Sequence, residues 1–569
     1  MRNEDVADAL DLLADVLEFK GENPFKLRAY RKAARVLRDL QEDVSTLVAE
    51  GRLRDLPGIG EGIEKKVAQF VKTGKMDALE AAMEGVSPGI VEIMKIPGVG
   101  PRTAALAREK LNVQSVEELA EAARSGRLAE LPGMGAKKAE NILKGIEFMR
   151  RAKGRMPLGK VLPLVESLLD ELRRHGVKKV VAAGSLRRMC ETIGDIDILA
   201  SGRSGEKIVR AFTGLPLVAR VLASGDTKGS ILTADGTQVD LRVVEPASYG
   251  AALQYFTGSK AHNIRLRSIA RDRGLKLSEY GLFRDERRVA GRTEEEIYEV
   301  LGLPCIPPVL REDRGEIEAA LEGKLPKLVE LRDISGDLHV HTNWSDGHNS
   351  IEEMAAAARK RGYRYLVISD HTRALKIFGG LDASRLLEQI EEVKRVNARV
   401  RGIRVLTGTE VDIRADGTLD MADEVLAKLD FVTASVHSGF AQDRDTMTRR
   451  ILAAIENPHV DSIGHLTGRL LGERDGYDVD VDAILRAAAR TGTALELNAH
   501  PARLDINDQA CRRAKELGVK VAINTDAHDV EQLDLMRFGV ATAQRGWLER
   551  SDVLNARAEP PVGKGARPR

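Results

Sequence analysis

The pattern of apolar and polar positions divides the chain into three stretches of different period. The first 150 residues read as short helices. Within "NPFKLRAYRKAARVLR", from Asn23, the segment holds six basic residues and no acid. Arg28, Lys32, Arg35 and Arg38 recur at helical spacing and make one positive stripe. The period then shortens. Val180 to Ala183 reads as a buried strand, with Gly184 and Ser185 as the turn after it. Taken as a strand, "TIGDIDILASG" from Thr192 puts Asp195 and Asp197 on one face and Ile196 and Ile198 on the other. "GTQVDLRVVEP" gives a further strand, with Asp240 and Arg242 sharing a face. From Gly336 onward, seven apolar strand-like runs alternate with helical segments such as "SIEEMAAAARKRG". Each run ends in polar residues, which is the logic of a β/α barrel.

Composition sharpens this division. At 569 residues the chain is too long for one core, and its 43% hydrophobic content is ordinary for globular protein. No apolar run is long enough to cross a bilayer and no signal-peptide pattern opens the chain, so a cytoplasmic protein with no membrane partner is expected. Cys190, Cys305 and Cys511 lie far apart and form no CxxC pair, which fits a reduced compartment. The net charge of +1 neither supports nor excludes nucleic acid. Nine of the 11 histidines lie beyond residue 337, so the last part has a chemistry of its own.

A motif recurs three times in the helical stretch: "LPGIGEGIEKKV" from Leu56, "IPGVGPRTAALA" from Ile96 and "LPGMGAKKAENI" from Leu131. The glycine pairs Gly58 and Gly60, Gly98 and Gly100, and Gly133 and Gly135 allow a tight turn close to a ligand. A helix then begins with unpaired N–H groups, donors suited to phosphate. The pattern resembles helix-hairpin-helix motifs, which grip the DNA backbone without reading sequence. Beside these hairpins, the basic stripe reads as a DNA-binding face rather than a solvated one.

The middle stretch carries two carboxylates side by side, and like charges at that spacing repel unless something positive lies between them. Three aspartates on neighbouring strands can hold two divalent cations about 4 Å apart. One cation then lowers the pKa of an attacking hydroxyl, and the other steadies the leaving phosphates. Oxygen-only ligands suit Mg²⁺.

"GSLRRMCETIGDIDIL", "VDLR" and "YFTGSKAHNIRLR" resemble the signature of family X DNA polymerases, the group of DNA polymerase beta. The resemblance runs from the basic helix to about Pro308. It implies that Asp195 and Asp197 bind both metals, and that Asp240 binds the catalytic metal and activates the primer 3′-hydroxyl. Ser185, Arg188 and the Gly194 amide would hold the incoming dNTP's triphosphate. Tyr255, Phe256 and Gly258 would form the turn beneath its sugar, Lys260 would add a nucleotide contact, Asn263 would touch the base edge and Arg267 the template strand. Met189 stands where the family usually has glycine, and Lys260 where the animal enzyme has an acid. The N-terminal segment resembles the family's lyase domain, which holds the 5′-phosphate of a DNA gap. Lys26, Tyr30 and Lys66 fall on matching positions, Lys66 on that of the Schiff-base lysine, while Gly62 replaces a phosphate-binding lysine. Two readings of Lys66 stand: lyase nucleophile, or solvated helix lysine.

In the last stretch, "GDLHVHTNWSDG", "YLVISDH", "IRVLTGTE", "FVTASVH", "VDSIGH", "TALELNAH" and "VKVAINTDAH" place histidines and acids at successive strand ends. Asn498 and His500 close the sixth run. Imidazole and carboxylate without thiolate suit manganese, zinc or iron. The pattern resembles the polymerase-and-histidinol-phosphatase (PHP) family, a distorted seven-stranded barrel with up to three metal ions, here Mn²⁺ or Zn²⁺. His339, His341, Asp346, His371, Glu410, His437, His465, Asp526 and His528 match its whole ligand set. Phosphoester hydrolysis is the chemistry implied.

The expected organisation is a lyase-like helical domain over 1–85, helix-hairpin-helix fingers over 86–155 and an α+β nucleotidyltransferase palm with thumb over 156–315. A basic run, "RRAKGRMP", leads into the palm. A connector over 316–335, a (β/α)7 barrel over 336–550 and a disordered tail over 551–569 follow. The whole resembles bacterial family X polymerases that carry both modules. They imply a repair polymerase, acting on gapped or primed double-stranded DNA as a monomer, with 3′–5′ exonuclease activity and possible abasic-site cleavage. Two rivals are a DNA-end-binding scaffold with weak catalysis and a polymerase fused to a small-molecule phosphatase.

Overall fold

The computed structural model describes residues 3–38, 44–56, 58–96, 98–152, 155–234, 236–374 and 379–561. Two compact units emerge, residues 1–153 and residues 154–569.

The first unit is helical throughout its described residues. Its basic helix, Pro24–Arg38, opens with a proline, and Asn23 Oδ1 accepts from the Phe25 N–H at 2.9 Å. Leu27, Tyr30, Ala33, Ala34 and Leu37 form its buried stripe, which packs along the helix Asn3–Phe19. One core extends from Val6 to Ile146. The expected boundary at residue 85 is therefore no break in packing, because Asn3–Phe19 contacts both Asp77–Met83 and Pro101–Leu111. The last helix, Ala136–Ala152, takes in the start of the basic run; Lys153 and Gly154 lie outside the described residues.

The second unit opens with β1 (Met156–Pro157), β2 (Lys179–Ala182), β3 (Thr192–Ile193), β4 (Ile196–Ser201), β5 (Val218–Ser224), β6 (Lys228–Thr233) and β7 (Gln238–Val244). Five of these form a sheet in the order β2-β4-β7-β6-β5, with β4 and β7 parallel. The stretch from Thr192 is not one strand. β3 pairs with β1 in a separate ribbon, so the chain turns at Gly194 and Asp195 to change sheets before β4. Asp195 thus sits in the turn, and only Asp197 lies on a strand. A thumb follows, with helices Tyr249–Thr257 and Lys260–Asp272 and the small sheet β8 (Lys276–Ser278), β9 (Gly281–Arg284) and β10 (Arg287–Ala290). The expected connector begins inside it, since helix Glu316–Leu321 sends Ile317 and Ala320 into the thumb core.

The third part is a seven-stranded parallel sheet in sequence order: β11 (Gly336–Val340), β12 (Tyr365–Ile368), β13 (Arg404–Asp412), β14 (Phe431–Ser435), β15 (Ser462–Ile463), β16 (Ala494–Asn498) and β17 (Val521–Asn524). The strands are buried on both faces, as parallel strands under helices must be. The sheet curls until β11 approaches β17, where the His341 N–H donates to Ala527 O at 2.8 Å. Asn555 brackets this seam: its amide donates to Gly336 O at 2.8 Å and Ile523 O at 2.6 Å, and accepts from the Ile523 N–H at 3.0 Å. This corrects the expected tail over 551–569. Val553, Leu554, Asn555 and Ala556 are buried because they cap the barrel floor, whereas residues 562–569 lie outside the described residues. The barrel also completes the palm core, to which Leu504 and Phe538 belong alongside Leu158, Val161 and Ile196.

Candidate active sites

In the palm, Asp197 and Asp240 are register partners on β4 and β7, and Asp195 stands two residues before Asp197 in the turn. Burial, and then the neighbouring Asp195 and Asp240, push Asp197 above the ordinary carboxylate range, with Arg242 opposing. Three neighbouring carboxylates whose mutual repulsion Arg242 only partly offsets fit divalent cations. Asp240 borders two clefts. One, of about 270 Å³, is lined by Asp197, Lys228, Ser230, Arg242 and Phe256. The other, of about 390 Å³, is lined by Arg155, Lys160, Gly194, Asp195 and Gln238. Gln238 Nε2 donates to Asp240 at 3.2 Å. Lys228, Lys160 and Gln238 do not stand out in the sequence, whereas Arg155 carries a signal as part of the basic run before the palm.

Ser185 lies in the one-turn helix Gly184–Arg187 after β2, and Arg188 follows it. Arg188 donates from Nη1 to Thr257 O at 2.6 Å and from Nε to Glu312 at 2.9 Å. Arg187 pairs with Glu294, which also pairs with the buried Arg311. Met189 has φ +54°, the left-handed region that glycine favours, which accounts for the glycine usual at this position. Phe256 lies under the Arg242 guanidinium, 4.8 Å from it, and meets Tyr255 edge-on at 5.2 Å. Gly258 has φ +70°, and a Cβ there would stand 3.2 Å from Arg188. Lys260 and Arg267 are exposed along helix Lys260–Asp272. Asn263 is 8% exposed; it accepts from Gln254 at 2.6 Å and donates to Tyr255 O at 2.7 Å. In this conformation its amide is engaged within the thumb rather than offered to a base.

In the helical unit, Gly58 and Gly98 have φ of +93° and +84°, and Gly60 and Gly100 cap helices Glu61–Thr73 and Pro101–Leu111 without a side-chain bond. The N–H groups of their first turns, from Arg102 onward in the second helix because Pro101 has none, are thus left for an outside acceptor. The third hairpin differs, since Gly133 and Gly135 are both left-handed. Lys26, Arg28, Lys32 and Arg35 are exposed, Lys32 against Gly58 and Lys26 paired with Glu22 at 2.8 Å. Arg38 turns away to Asp8 and Asp11, which shortens the stripe. Tyr30 is 5% exposed and belongs to the core rather than the surface, with the Lys66 ammonium 5.8 Å from its ring. Lys66 donates to Gly62 O at 2.9 Å, and Lys65 is paired with Glu61.

The barrel gathers its nine sequence-predicted residues at the C-terminal ends of its strands. Glu410 is the hub. It lies 2.8 Å from His371 Nδ1, 3.0 Å from His465 Nε2, 3.2 Å from His437 Nε2 and 3.4 Å from His339 Nε2. His341 Nε2 is 3.0 Å from Asp526, and Asp346 is 3.5 Å from both His371 and His528. Three groups bring their donor atoms within 4.8 Å of one another: His341, Asp346, His371 and His528; His339, His341 and Asp526; His371, Glu410 and His437. His339 Nε2, both nitrogens of His341, His465 Nδ1 and both oxygens of Glu410 are buried without a well-formed hydrogen bond. Such atoms are costly to leave unmatched, and cations would match them.

Acids and imidazoles of the cluster shift one another strongly, and His339 and His371 are raised by their carboxylate neighbours against their own burial. Against its own burial, Glu410 is held well below the carboxylate range by His437, His339 and His371. Burial, with His528 and His371 close by, drives His341 down to about 3. A second layer, which the strand-end pattern does not mark, holds these side chains in place. His339 Nδ1 is 2.6 Å from Glu496, and His437 Nδ1 is 3.1 Å from Asp412. Asn498 ties Glu496 to Asp526. The acid in the middle of the apolar run "ALELN" is the available signal for Glu496.

Four stretches of the chain match known families. Residues 1–76 match a helix-hairpin-helix domain, 90–147 a SAM-like helix-hairpin-helix tandem, 252–312 the DNA polymerase beta thumb and 337–500 the PHP domain. The PHP match stops before β17, which the structure adds with Asp526 and His528. The DNA polymerase/3′-5′ exonuclease PolX of Bacillus subtilis (strain 168) is 41% identical over 563 residues, 98% of either chain. A probable phosphatase of Thermoanaerobacter sp. (strain X514) is 32% identical over 214 residues, 36% of this chain and 81% of the relative.

Proposed function

The chain belongs to the PolX family, and from that premise we propose that it fills short gaps in DNA during repair and trims 3′ ends at a second site on the same chain. It is a DNA polymerase with a 3′–5′ exonuclease, and both activities depend on metal ions. The observation that carries the finer reading is the coexistence of an aspartate trio with a cluster of eight possible metal-binding residues, to which His465 is joined through Glu410.

In the palm, Asp195, Asp197 and Asp240 would hold Mg²⁺, which supplies hydroxyl activation and charge neutralisation when bound. Asp240 borders two clefts, as a residue must where two reactants meet. Ser185, Arg188 and the Gly194 amide would take the triphosphate of a dNTP, and the Tyr255–Gly258 turn would support its sugar. Lys260 and Arg267, exposed on one helix, are suited to nucleotide and template phosphates. The hairpin turns and Lys26, Arg28, Lys32 and Arg35 would hold the duplex backbone. In the barrel, the nine ligands would hold Mn²⁺ or Zn²⁺. Glu496 and Asp412 would keep His339 and His437 turned inward. Lys66 as a lyase nucleophile has weaker support, because Gly62 lacks the phosphate-binding lysine and the positive charge of Lys65, which would favour a neutral Lys66 amine, is paired with Glu61. A monomer acting in the cytoplasm fits these substrates. Among the described residues no helix is long and apolar enough to cross a membrane.

The test uses the full chain on a one-nucleotide gap with all four dNTPs, and on 3′-recessed DNA beside histidinol phosphate. Gap filling, together with digestion of the DNA in preference to the small phosphoester, is expected. Preference for histidinol phosphate would move the barrel to the phosphatase class of its shorter relatives.

A further inference from the structure

Two adjacent arginines of the palm are held in the same way. Each pairs with a carboxylate that is shared with a second arginine. For Arg187 the carboxylate is Glu294 and the second arginine is Arg311, both within the thumb. For Arg188 the carboxylate is Glu312, and the second arginine is Arg545, at the end of the barrel helix Met536–Arg545. The barrel thus supplies the last member of a charge cluster that begins in the polymerase site.

The bonds around Arg545 are specific. Its Nη1 donates to Glu312 Oε1 at 2.9 Å and to Arg188 O at 2.8 Å, and its Nη2 donates to Asp508 at 3.0 Å. Arg188 Nε donates to the same Glu312 oxygen at 2.9 Å. The side chains of Arg188, Glu312 and Arg545 are 13%, 16% and 8% exposed. Against burial, Arg188 and Arg545 together keep Glu312 below the ordinary carboxylate range. Two cations thus share Glu312, and Asp508, which accepts from Arg545, is paired in turn with Arg314, so three arginines and two carboxylates leave the cluster one net positive charge.

We propose that Arg545 is a positioning residue for nucleotide addition, which by sharing Glu312 leaves Arg188 oriented and electrostatically free to receive the triphosphate. This rests on the reading that Arg188 binds the triphosphate. Without Arg545, Glu312 has one cation partner instead of two, and the net charge of the cluster falls to zero. Its attraction for an anion falls with it. The Arg188 carbonyl is also deprived of its donor, next to the left-handed Met189. Removing one charge-assisted hydrogen bond at this depth corresponds to roughly a tenfold change in affinity. The barrel's own site has no part in the effect.

The experiment measures steady-state dNTP addition on gapped DNA, and 3′-end digestion, in the full chain. The variants are Arg545→Met, Arg545→Lys, Arg188→Ala and the double variant Arg188→Ala/Arg545→Met. Arg545→Met should raise the KM for dNTP roughly tenfold, with kcat and digestion little changed. Arg545→Lys should lie between it and the parent, since one ammonium cannot serve Arg188 O, Glu312 and Asp508 together. In the Arg188→Ala background, Arg545→Met should add nothing. An unchanged KM in Arg545→Met, while Arg188→Ala raises it, overturns the proposal, and so does additivity in the double variant. If Arg188→Ala leaves KM unchanged, the triphosphate reading of Arg188 falls first and takes the proposal with it. Should Arg545→Met lose its cooperative melt, Arg545→Lys decides alone, and a parental KM there is a refutation.

Discussion

The palm and the barrel both bring acids together for work on phosphates, but they do so to different degrees of readiness. In the palm, Asp197 and Asp240 face each other across parallel strands, Asp195 stands exposed in a turn, and among the described residues no histidine lines their clefts. In the barrel, nine donors converge from successive strand ends, His339, His341 and Glu410 are essentially buried, and Glu496 and Asp412 brace the imidazoles from behind. On the proposed reading, oxygens brought by nucleotide and primer would complete the cation sites of the palm. The barrel provides its ligand sets itself. Preorganisation tracks what the substrate contributes.

The comparison breaks most plainly if the sites are not separable. Asp240→Asn should lower nucleotide addition on the order of a thousandfold and leave 3′-end digestion intact. His341→Ala should do the reverse. Loss of both activities from either change, in folded protein, would contradict two independent sites. Metal exchange sharpens the contrast. After chelation and dialysis, Mg²⁺ should restore synthesis, whereas digestion should return only with Mn²⁺ or a similar ion. Strong digestion in pure Mg²⁺ would place the two sites in one class. Glu496→Gln tests the bracing layer. It should weaken metal binding by about 10–100-fold, read by competition with a chromophoric chelator, while synthesis is unchanged. The smallest effect concerns the thumb. His262 is fully buried between Glu316 at 2.7 Å and the Tyr298 hydroxyl at 2.9 Å, and burial lowers its pKa. The unfolded chain takes up that proton near pH 6.5 and the folded chain only at lower pH. Stability from this residue is therefore complete above pH 6.5 and declines as the pH falls toward the folded value. His262→Gln should flatten the dependence of the melting temperature between pH 6.5 and 5.

The barrel ligands are legible because strand-end histidines stand out against apolar runs, and the palm acids because two share a short stretch. What the sequence conceals has physical reasons. The turn at Gly194 and Asp195 depends on β3 pairing with β1, a partner on the far side of two helices and a strand. Tyr30 and Asn263 read as contact residues in one dimension, yet their environments are set by tertiary packing that a linear pattern does not carry. Residues 551–556 look like loop, since Asn555 acts through three backbone partners on β11 and β17. Glu496 is marked only as an acid within an apolar run, and Asp412 ends β13 two residues beyond Glu410, outside the strand-end pattern. Met189 is visible as an odd residue, but only its left-handed backbone explains the oddity.

The shared core of palm and barrel bears on how such a chain can be cut or inherited. Leu504 and Phe538 are buried among palm residues, and Pro501 lies so close to Gly159 that a Cβ there would stand 2.3 Å from its ring. A polymerase half severed at the connector would present the vacated sockets of these side chains to water. Such a fragment should be sticky and poorly soluble, and a lineage that discards the barrel would first have to repaint that face of its palm with polar residues.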